Sequence, residues 1–502
     1  GLRSMFKVSL INPNFQTGPE HLNSYYLPYT IGALWGYLVS DERIANNFEI
    51  NNWIFKRAEI AETVEQCKGA DIALMSLYIW NKNYCYKLAQ ELKKANPNII
   101  IIAGGPEVEW RDRDYHTKHP EIDSICINEG EQAIKHIFEC ILDDKEIPQR
   151  NHFERLTDLD IASPYLSGLF DHFITDFPDI EWVPTLETDR GCPYQCTFCD
   201  WGSATFTKVR KWEESKIFKE IEWFAENKIP YIDCCDANFG IFQERDFRIA
   251  KKLKDVALKT HYPERVRPAW AKNSSEKIIP IAKQLQEGGI LGAVTLAVQS
   301  LDTNTLNIIK RANIKFDAFS ELTETFRNNN IPTYTELIMG LPGETLDTFK
   351  DGLENIAQTK IDTVFIYNCT ILPNAPMNVP EYREKYKIQS VLSPIMLVHS
   401  SIHNRGNHQE YEEIVTATNT CSLDELKETY LYSWCYLTLQ SLGILEHVTN
   451  FYNNSFNLGY IKFFEIFLEF CSAKKSVFSE EFDRIIEFRN NGYAGKGWDE
   501  YD

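Results

Sequence analysis

Short apolar runs alternate with amphipathic stretches over most of this 502-residue chain. Lys7-Val8-Ser9-Leu10-Ile11 is an apolar strand that stops at Asn12-Pro13-Asn14. Leu27-Pro28 leads into a helical pattern carrying Ile31, Leu34, Trp35 and Leu38. Ile72-Ala73-Leu74-Met75-Ser76 predicts a second buried strand, and residues 83–94 an amphipathic helix. A third strand, 99–103, ends at Gly104-Gly105-Pro106, and a fourth, 124–127, ends at Glu129-Gly130-Glu131. Apolar strands separated by helices specify a parallel sheet covered on both faces. Residues 5–150 are therefore expected to form an α/β, doubly wound, Rossmann-like domain. Ligands of such sheets sit outside the carboxyl ends of the strands.

A connector of loop character, with Asp158, Asp160, Ser163-Pro164 and Pro178, is expected over 151–182. Strand–helix alternation then resumes. Strands are predicted at 183–188, 231–235, 266–270, 292–298, 333–339 and 363–367. Their carboxyl ends carry polar loops: Asp236-Ala237-Asn238-Phe239-Gly240, Lys272-Asn273, Gln299-Ser300, Gly340-Leu341-Pro342-Gly343-Glu344 and Leu372-Pro373-Asn374. From 386 to 502 the alternation fades. Ser422-Leu423-Asp424-Glu425 is a capping box that opens a long helix ending near Gly443. A Phe-rich helix is predicted over 460–471, so this segment reads as mainly helical, and His399 and His403 ahead of it read as structural or solvent-exposed.

Composition narrows the function. The hydrophobic share of 43% and charged share of 25% are those of a soluble globular protein. No apolar run reaches the length of a membrane span. The formal charge of -20 argues against a nucleic-acid partner, because phosphate binding needs clustered Lys and Arg. Lys208, Arg210 and Lys211 make a local basic stretch that is expected to meet a small anion or solvent. Thirteen cysteines without an export signal suggest a reducing, cytoplasmic setting. Gly1-Leu2-Arg3-Ser4 ahead of Met5 read as a remnant of an appended tag.

The chemistry concentrates in Cys192-Pro193-Tyr194-Gln195-Cys196-Thr197-Phe198-Cys199. Three thiolates at C-x3-C-x2-C can hold three irons of a 4Fe-4S cluster and leave the fourth without a protein ligand. A structural zinc site would need a fourth ligand, and no second cysteine pair or suitably spaced histidine follows.

This spacing, with the aromatic Phe198 before the third cysteine, resembles the cluster motif of the radical S-adenosylmethionine (SAM) superfamily. The four loops ahead of it, Asn12-Pro13-Asn14, Leu77-Tyr78-Ile79-Trp80-Asn81, Gly104-Gly105-Pro106-Glu107 and Asn128-Glu129-Gly130-Glu131, resemble the cobalamin-binding domain of cobalamin (B12)-dependent radical SAM enzymes. Together the resemblance covers residues 6–380. It implies a partial (β/α)6 barrel over 183–385, with Cys192, Cys196 and Cys199 as metal ligands and catalytic centre. It implies SAM contacts from Phe198, Asp236, Asn238, Gln299, Ser300, Arg311 and Gly340. It implies cobalamin contacts from Asn12, Pro13, Tyr78, Trp80, Asn81, Gly104, Gly105, Pro106, Glu129, Gly130 and Glu131. The family's Gly-Gly-Glu is absent at 236–238.

The Asp-x-His-x-x-Gly motif of histidine-ligated cobalamin domains is absent too, so the lower face of cobalamin is expected to lack a histidine and to be covered by Tyr78 or Trp80. The chemistry so implied is one-electron cleavage of SAM, hydrogen abstraction by a 5′-deoxyadenosyl radical from an unactivated carbon of a small-molecule substrate, and methylation from methylcobalamin. Flavodoxin or ferredoxin is the expected class of electron donor. Two rival readings remain at this point: a non-methylating rearrangement, ring contraction or cyclisation with the same cofactors, and a non-catalytic cobalamin-binding or sensing protein. Substrate identity and oligomeric state are not legible.

Overall fold

The computed structural model describes residues 4–15, 23–200, 207–272, 275–395, 408–445, 447, 450–456, 458–473 and 477–498. Asn273, His399 and His403 lie outside them.

The N-terminal sheet has six parallel strands: β1 (Phe6–Asn14), β2 (Phe48–Lys56), β3 (Ile72–Ser76), β4 (Ile100–Gly104), β5 (Ser124–Ile127) and β6 (Arg150–His152). Their order is β2-β1-β3-β4-β5-β6. The order reverses between β1 and β3, so the topological switch point opens beside their carboxyl ends, at Asn12–Asn14 and Leu77–Asn81. One apolar layer packs helix Lys82–Ala95 on one face, and a second packs helices Tyr29–Val39 and Glu131–Leu142 on the other. β2 has no counterpart in the expected strands. Glu49, Asn51 and Asn52 make it read as polar loop. It is an edge strand whose polar groups are used, with the Ser9 hydroxyl donating to Asn52 Oδ1 at 2.5 Å. His116 and His119 belong to an aromatic cluster: the His119 ring stacks on Tyr86 at 3.8 Å.

The connector is more ordered than a loop. It contains helix Asp171–Asp176 and strand Glu181–Val183, which pairs in parallel with Ser24–Tyr26 from the first domain. Phe170, Phe173 and Trp182 fill the junction and join it to the barrel core.

The middle of the chain forms six parallel strands in sequence order: β7 (Thr185–Leu186), β8 (Tyr231–Cys234), β9 (Arg265–Arg267), β10 (Val294–Thr295), β11 (Thr333–Met339) and β12 (Thr363–Asn368). Ladders join β7-β8-β9 and β10-β11-β12, and a parallel bridge between Val266 and Leu291 links the two halves. Leu337, Met339 and Val364 point outward into the core beneath the helices, alternating with Glu336, Ile338, Phe365 and Tyr367 on the opposite face.

The segment after 386 is mainly helical but opens with two strands, which pair with a short strand at the end of the barrel. β13 (Thr370–Ile371), β14 (Gln389–Pro394) and β15 (Tyr411–Ala417) form an antiparallel sheet in the order β13-β15-β14. Helix Leu423–Ser441 starts with the expected box. The Ser422 hydroxyl accepts from the Glu425 N–H at 3.2 Å, and Glu425 Oε1 accepts from the Ser422 N–H at 3.2 Å. This helix packs against the β11–β12 side of the barrel. Among the described residues no helix is long and apolar enough to cross a membrane.

Candidate functional site

The cluster loop leaves the barrel through a short antiparallel hairpin, Asp189–Arg190 with Arg210–Lys211. Gly191 turns out of it at φ +119, and a Cβ there would stand 2.3 Å from the Lys208 carbonyl oxygen, so only glycine fits. The loop backbone is then tied at several points. Cys192 O accepts from Thr207 N at 2.7 Å, Thr197 N donates to Ile309 O at 3.0 Å, and Thr197 O accepts from Met377 N at 2.8 Å. Phe198 packs against an apolar cluster that includes Ile309, Leu341, Ile371 and Met377.

Donors are aimed at the cysteine sulfurs. Asn238 Nδ2 lies 3.3 Å from Cys192 Sγ, Lys272 Nζ 3.7 Å from Cys196 Sγ, and Arg311 Nη1 4.0 Å from Cys196 Sγ. Two cations and one amide N–H around these thiols suit anionic thiolates, and so fit an iron–sulfur cluster. Lys272 was not among the expected site residues, although it ends a predicted strand.

Several expected contacts turn out to be braces. Asp236 is buried and its carboxylate accepts from Thr188 N at 2.7 Å, from the Thr188 hydroxyl and from Asp189 N at 3.2 Å. It holds the strand that delivers the cluster loop. Burial pushes Asp236 and its neighbour Asp189 up; Arg245, which donates to Thr188 O and Trp212 O, both at 2.7 Å, opposes the rise at Asp189. Ser300 Oγ donates to Glu344 Oε1 at 2.8 Å and is similarly committed. Burial pushes Glu344 up to about 7. Gly340, at φ +92, lies against Val415 and Cys369.

Gln299 behaves otherwise. It adopts φ +66, uncommon for a residue with a side chain, and its buried Oε1 has no hydrogen-bond partner among the described residues. Arg311 is buried too, donating to Ala297 O at 2.6 Å and to Asn313 Oδ1 at 3.0 Å. A buried acceptor at the end of β10 and a guanidinium held near Cys196 suit a zwitterionic ligand such as SAM.

At the switch point of the first sheet, Asn12 Oδ1 and Trp80 Nε1 are buried without partners among the described residues. Tyr78 and Trp80 stack at 4.5 Å with 7° between planes, and Tyr78 Oη donates to Thr30 Oγ1 at 3.2 Å. A flat aromatic surface and orphaned polar atoms at this point fit a corrin. Asn81 is fully enclosed and holds the loop instead, donating to Pro13 O at 3.1 Å and Ser76 O at 3.0 Å. Gly105 is needed for packing within the protein: at φ +100 its Cβ would lie 2.6 Å from the Leu77 carbonyl oxygen. Gly104 and Gly130 are less crowded, with nearest Cβ contacts of 3.6 Å.

The remaining loops join the two domains. Glu131 pairs with Arg190 at 2.7 Å, immediately before the cluster loop, and Glu129 pairs with Arg210. Burial opposes ionisation of Glu129, but Arg210 and Arg190 hold it below the usual carboxylate range. Glu129 and Glu131 are therefore spent on ion pairs, and Arg210 meets a carboxylate of the first domain rather than an anionic ligand or solvent. Pro106 O and Val108 O accept from Asn374 Nδ2 at 2.9 and 2.7 Å. Burial and the Glu107 carboxylate push Asp200, next to Cys199, up to about 7. The strand ends of the first domain thus face the cluster loop of the second.

Comparison with known proteins agrees with this arrangement. A family model for the B12 binding domain matches residues 44–138, and one for the Radical SAM superfamily matches residues 186–356. The cobalamin-dependent radical SAM methyltransferase TokK of Streptomyces tokunonensis is 33% identical over 466 residues, 88% of this chain and 68% of the relative. The 2-(S-pantetheinyl)-carbapenam-3-carboxylate methyltransferase of Streptantibioticus cattleyicolor is 31% identical over 468 residues, 89% of this chain and 68% of the relative. Among solved structures, the radical SAM methyltransferase TsrM of Kitasatospora setae, with tryptophan and a SAM analogue bound, superposes with a TM-score of 0.60 at 16% identity. That match covers 86% of this chain and 89% of TsrM, and shows a shared fold. With two domain families in order and one-third identity along nearly the whole chain, this protein belongs to the cobalamin-dependent radical SAM methyltransferases.

Proposed function

We propose that the chain methylates an unactivated carbon of a small carboxylate-bearing molecule with an extended thioether arm, of the class named for the carbapenam relative. The carrying observation is 31% identity to that enzyme over 89% of the chain. The barrel adds support. Phe365 and Tyr367 are 43% and 48% exposed on the face opposite the core, and the Phe365 ring meets Tyr334 at 5.3 Å. Glu336, on the same face as Tyr334, is pushed up by burial and lies in the field of Arg311 and Arg267. An aromatic wall beside two arginines suits a long amphipathic anion.

In this reading Cys192, Cys196 and Cys199 hold the 4Fe-4S cluster. Gln299 and Arg311 hold SAM, with Phe198 and Gly340 shaping its surroundings. Asn12, Pro13, Tyr78, Trp80, Gly104, Pro106 and Gly130 border cobalamin, whose lower face meets the Tyr78–Trp80 stack and no histidine. When bound, these groups supply the 5′-deoxyadenosyl radical and the transferable methyl. The protein orients them, keeps the thiolates in a cationic setting and excludes water. A flavodoxin or ferredoxin supplies electrons. The domains divide at residues 5–150, 183–385 and 386–502, with 151–182 between.

The test is incubation of reconstituted protein with methyl-labelled SAM, a reductant and 2-(S-pantetheinyl)-carbapenam-3-carboxylate. Label is expected in the product, with 5′-deoxyadenosine formed alongside. Unlabelled product, or no turnover of this compound, would sink the proposed substrate class. Asn238→Ala is expected to move the cluster potential to more negative values, on the order of tens of millivolts, because an N–H donor to sulfur favours the reduced state. An unchanged potential by redox titration would remove Asn238 from that role.

A further inference from the structure

Helix Lys82–Ala95 begins after Asn81, a residue type that ordinarily caps a helix by accepting from its first N–H groups. Asn81 does not do so here. Its Oδ1 accepts from Tyr78 N at 2.8 Å, and its amide is used by Pro13 and Ser76. The helix is capped from the far end of the chain. Glu410, just ahead of β15, accepts from Asn83 N at 2.5 Å and from Tyr84 N at 3.2 Å. The same carboxylate pairs with Arg57 at 3.3 Å, with both side chains almost entirely enclosed. Arg57 donates to Trp80 O at 2.8 Å and to His408 O at 3.1 Å, while Asn83 Nδ2 donates to Gln409 O at 2.8 Å.

We infer that Glu410 and Arg57 are positioning residues for the corrin-facing Tyr78–Trp80 pair, so that the C-terminal segment sets the geometry of the cobalamin site. This rests on the reading of the 78–81 loop as that site. Burying an ion pair is costly, and apolar side chains of similar size often stabilise as well. What charged groups add is direction. Glu410 fixes the first turn that follows Trp80, and Arg57 fixes the Trp80 carbonyl itself. The chain leaving Trp80 is therefore held at its carbonyl and again at the first helical turn by one buried pair whose acid belongs to another domain.

The test uses the full-length holoenzyme with Glu410→Gln, which preserves shape, and Arg57→Gln. Cobalamin affinity is expected to fall about tenfold or more in each, the size found for partners that orient a site's primary ligands. The visible spectrum of bound corrinoid should shift. Formation of 5′-deoxyadenosine should stay within about twofold of the parent, while methyl transfer falls about tenfold. Because the residues act as a unit, the double variant should lose less than the product of the single losses. Unchanged corrinoid affinity and spectrum in both variants would overturn the inference. So would equal proportional losses of SAM cleavage and methyl transfer, the mark of a general structural role. A parent protein that takes up no corrinoid would instead overturn the cobalamin assignment.

Discussion

Cys199→Ala should abolish the broad visible absorbance of the reconstituted cluster and lower 5′-deoxyadenosine formation at least ~1000-fold, about 4 kcal/mol in the barrier. The reason is ligand count. Three thiolates leave one iron open for SAM, and two cannot hold the four-iron cluster in place of three. A methyl group offers no donor, and the neighbouring cations Lys272 and Arg311 would face an incomplete anion. Cys140→Ala, on a helix of the first domain, supplies the comparison and should leave both signals intact. A Cys199→Ala protein with full absorbance and cleavage would remove the cysteine triplet from the chemistry.

Gly191→Ala should have nearly as large an effect without touching a ligand. Two penalties coincide there: a left-handed backbone at φ +119 and a methyl 2.3 Å from a carbonyl oxygen. The conformation alone costs on the order of 1–2 kcal/mol, and the overlap forces the hairpin apart. Gly289 separates the two terms, since it has φ +71 but nothing within 4 Å of its Cβ position. Gly289→Ala should cost about 1 kcal/mol and leave iron content unchanged. Gly191→Ala should lose most of its iron on reconstitution. Iron analysis of both variants decides it, and equal iron content would show that the turn tolerates a side chain.

Central strands of the first sheet are legible because they are apolar on both faces, and β11 and its barrel neighbours because short strand-forming runs recur between helical stretches; both patterns are local. β11 matches its predicted span, and β3 was also found from its apolar run. β2 is hidden by Asn51 and Asn52, which both bond to Ser9 on the neighbouring strand. The cysteine triplet was legible for the same reason as the strands, since its spacing is written in eight consecutive residues. Other site residues depend on contacts that no local pattern encodes. Asp236 and Gly105 carry the expected residue types at the expected strand ends, yet serve Thr188 and Leu77. Lys272 stood at a predicted strand end, but nothing nearby marked Cys196 as its partner.

The joints between the first domain and the rest of the chain also bear on modular engineering. Arg190 and Arg210 grip one strand-end loop, Asn374 a second, and Arg57 with Glu410 a third. A chimaera that exchanged only residues 5–150 for the corresponding part of a relative would strand two buried arginines and a carboxylate unless the donor carried matching acids and amides. Exchange of cobalamin modules among these enzymes is thus restricted to parents that share the joints, and the segment carrying Glu410 has to travel with the domain it caps.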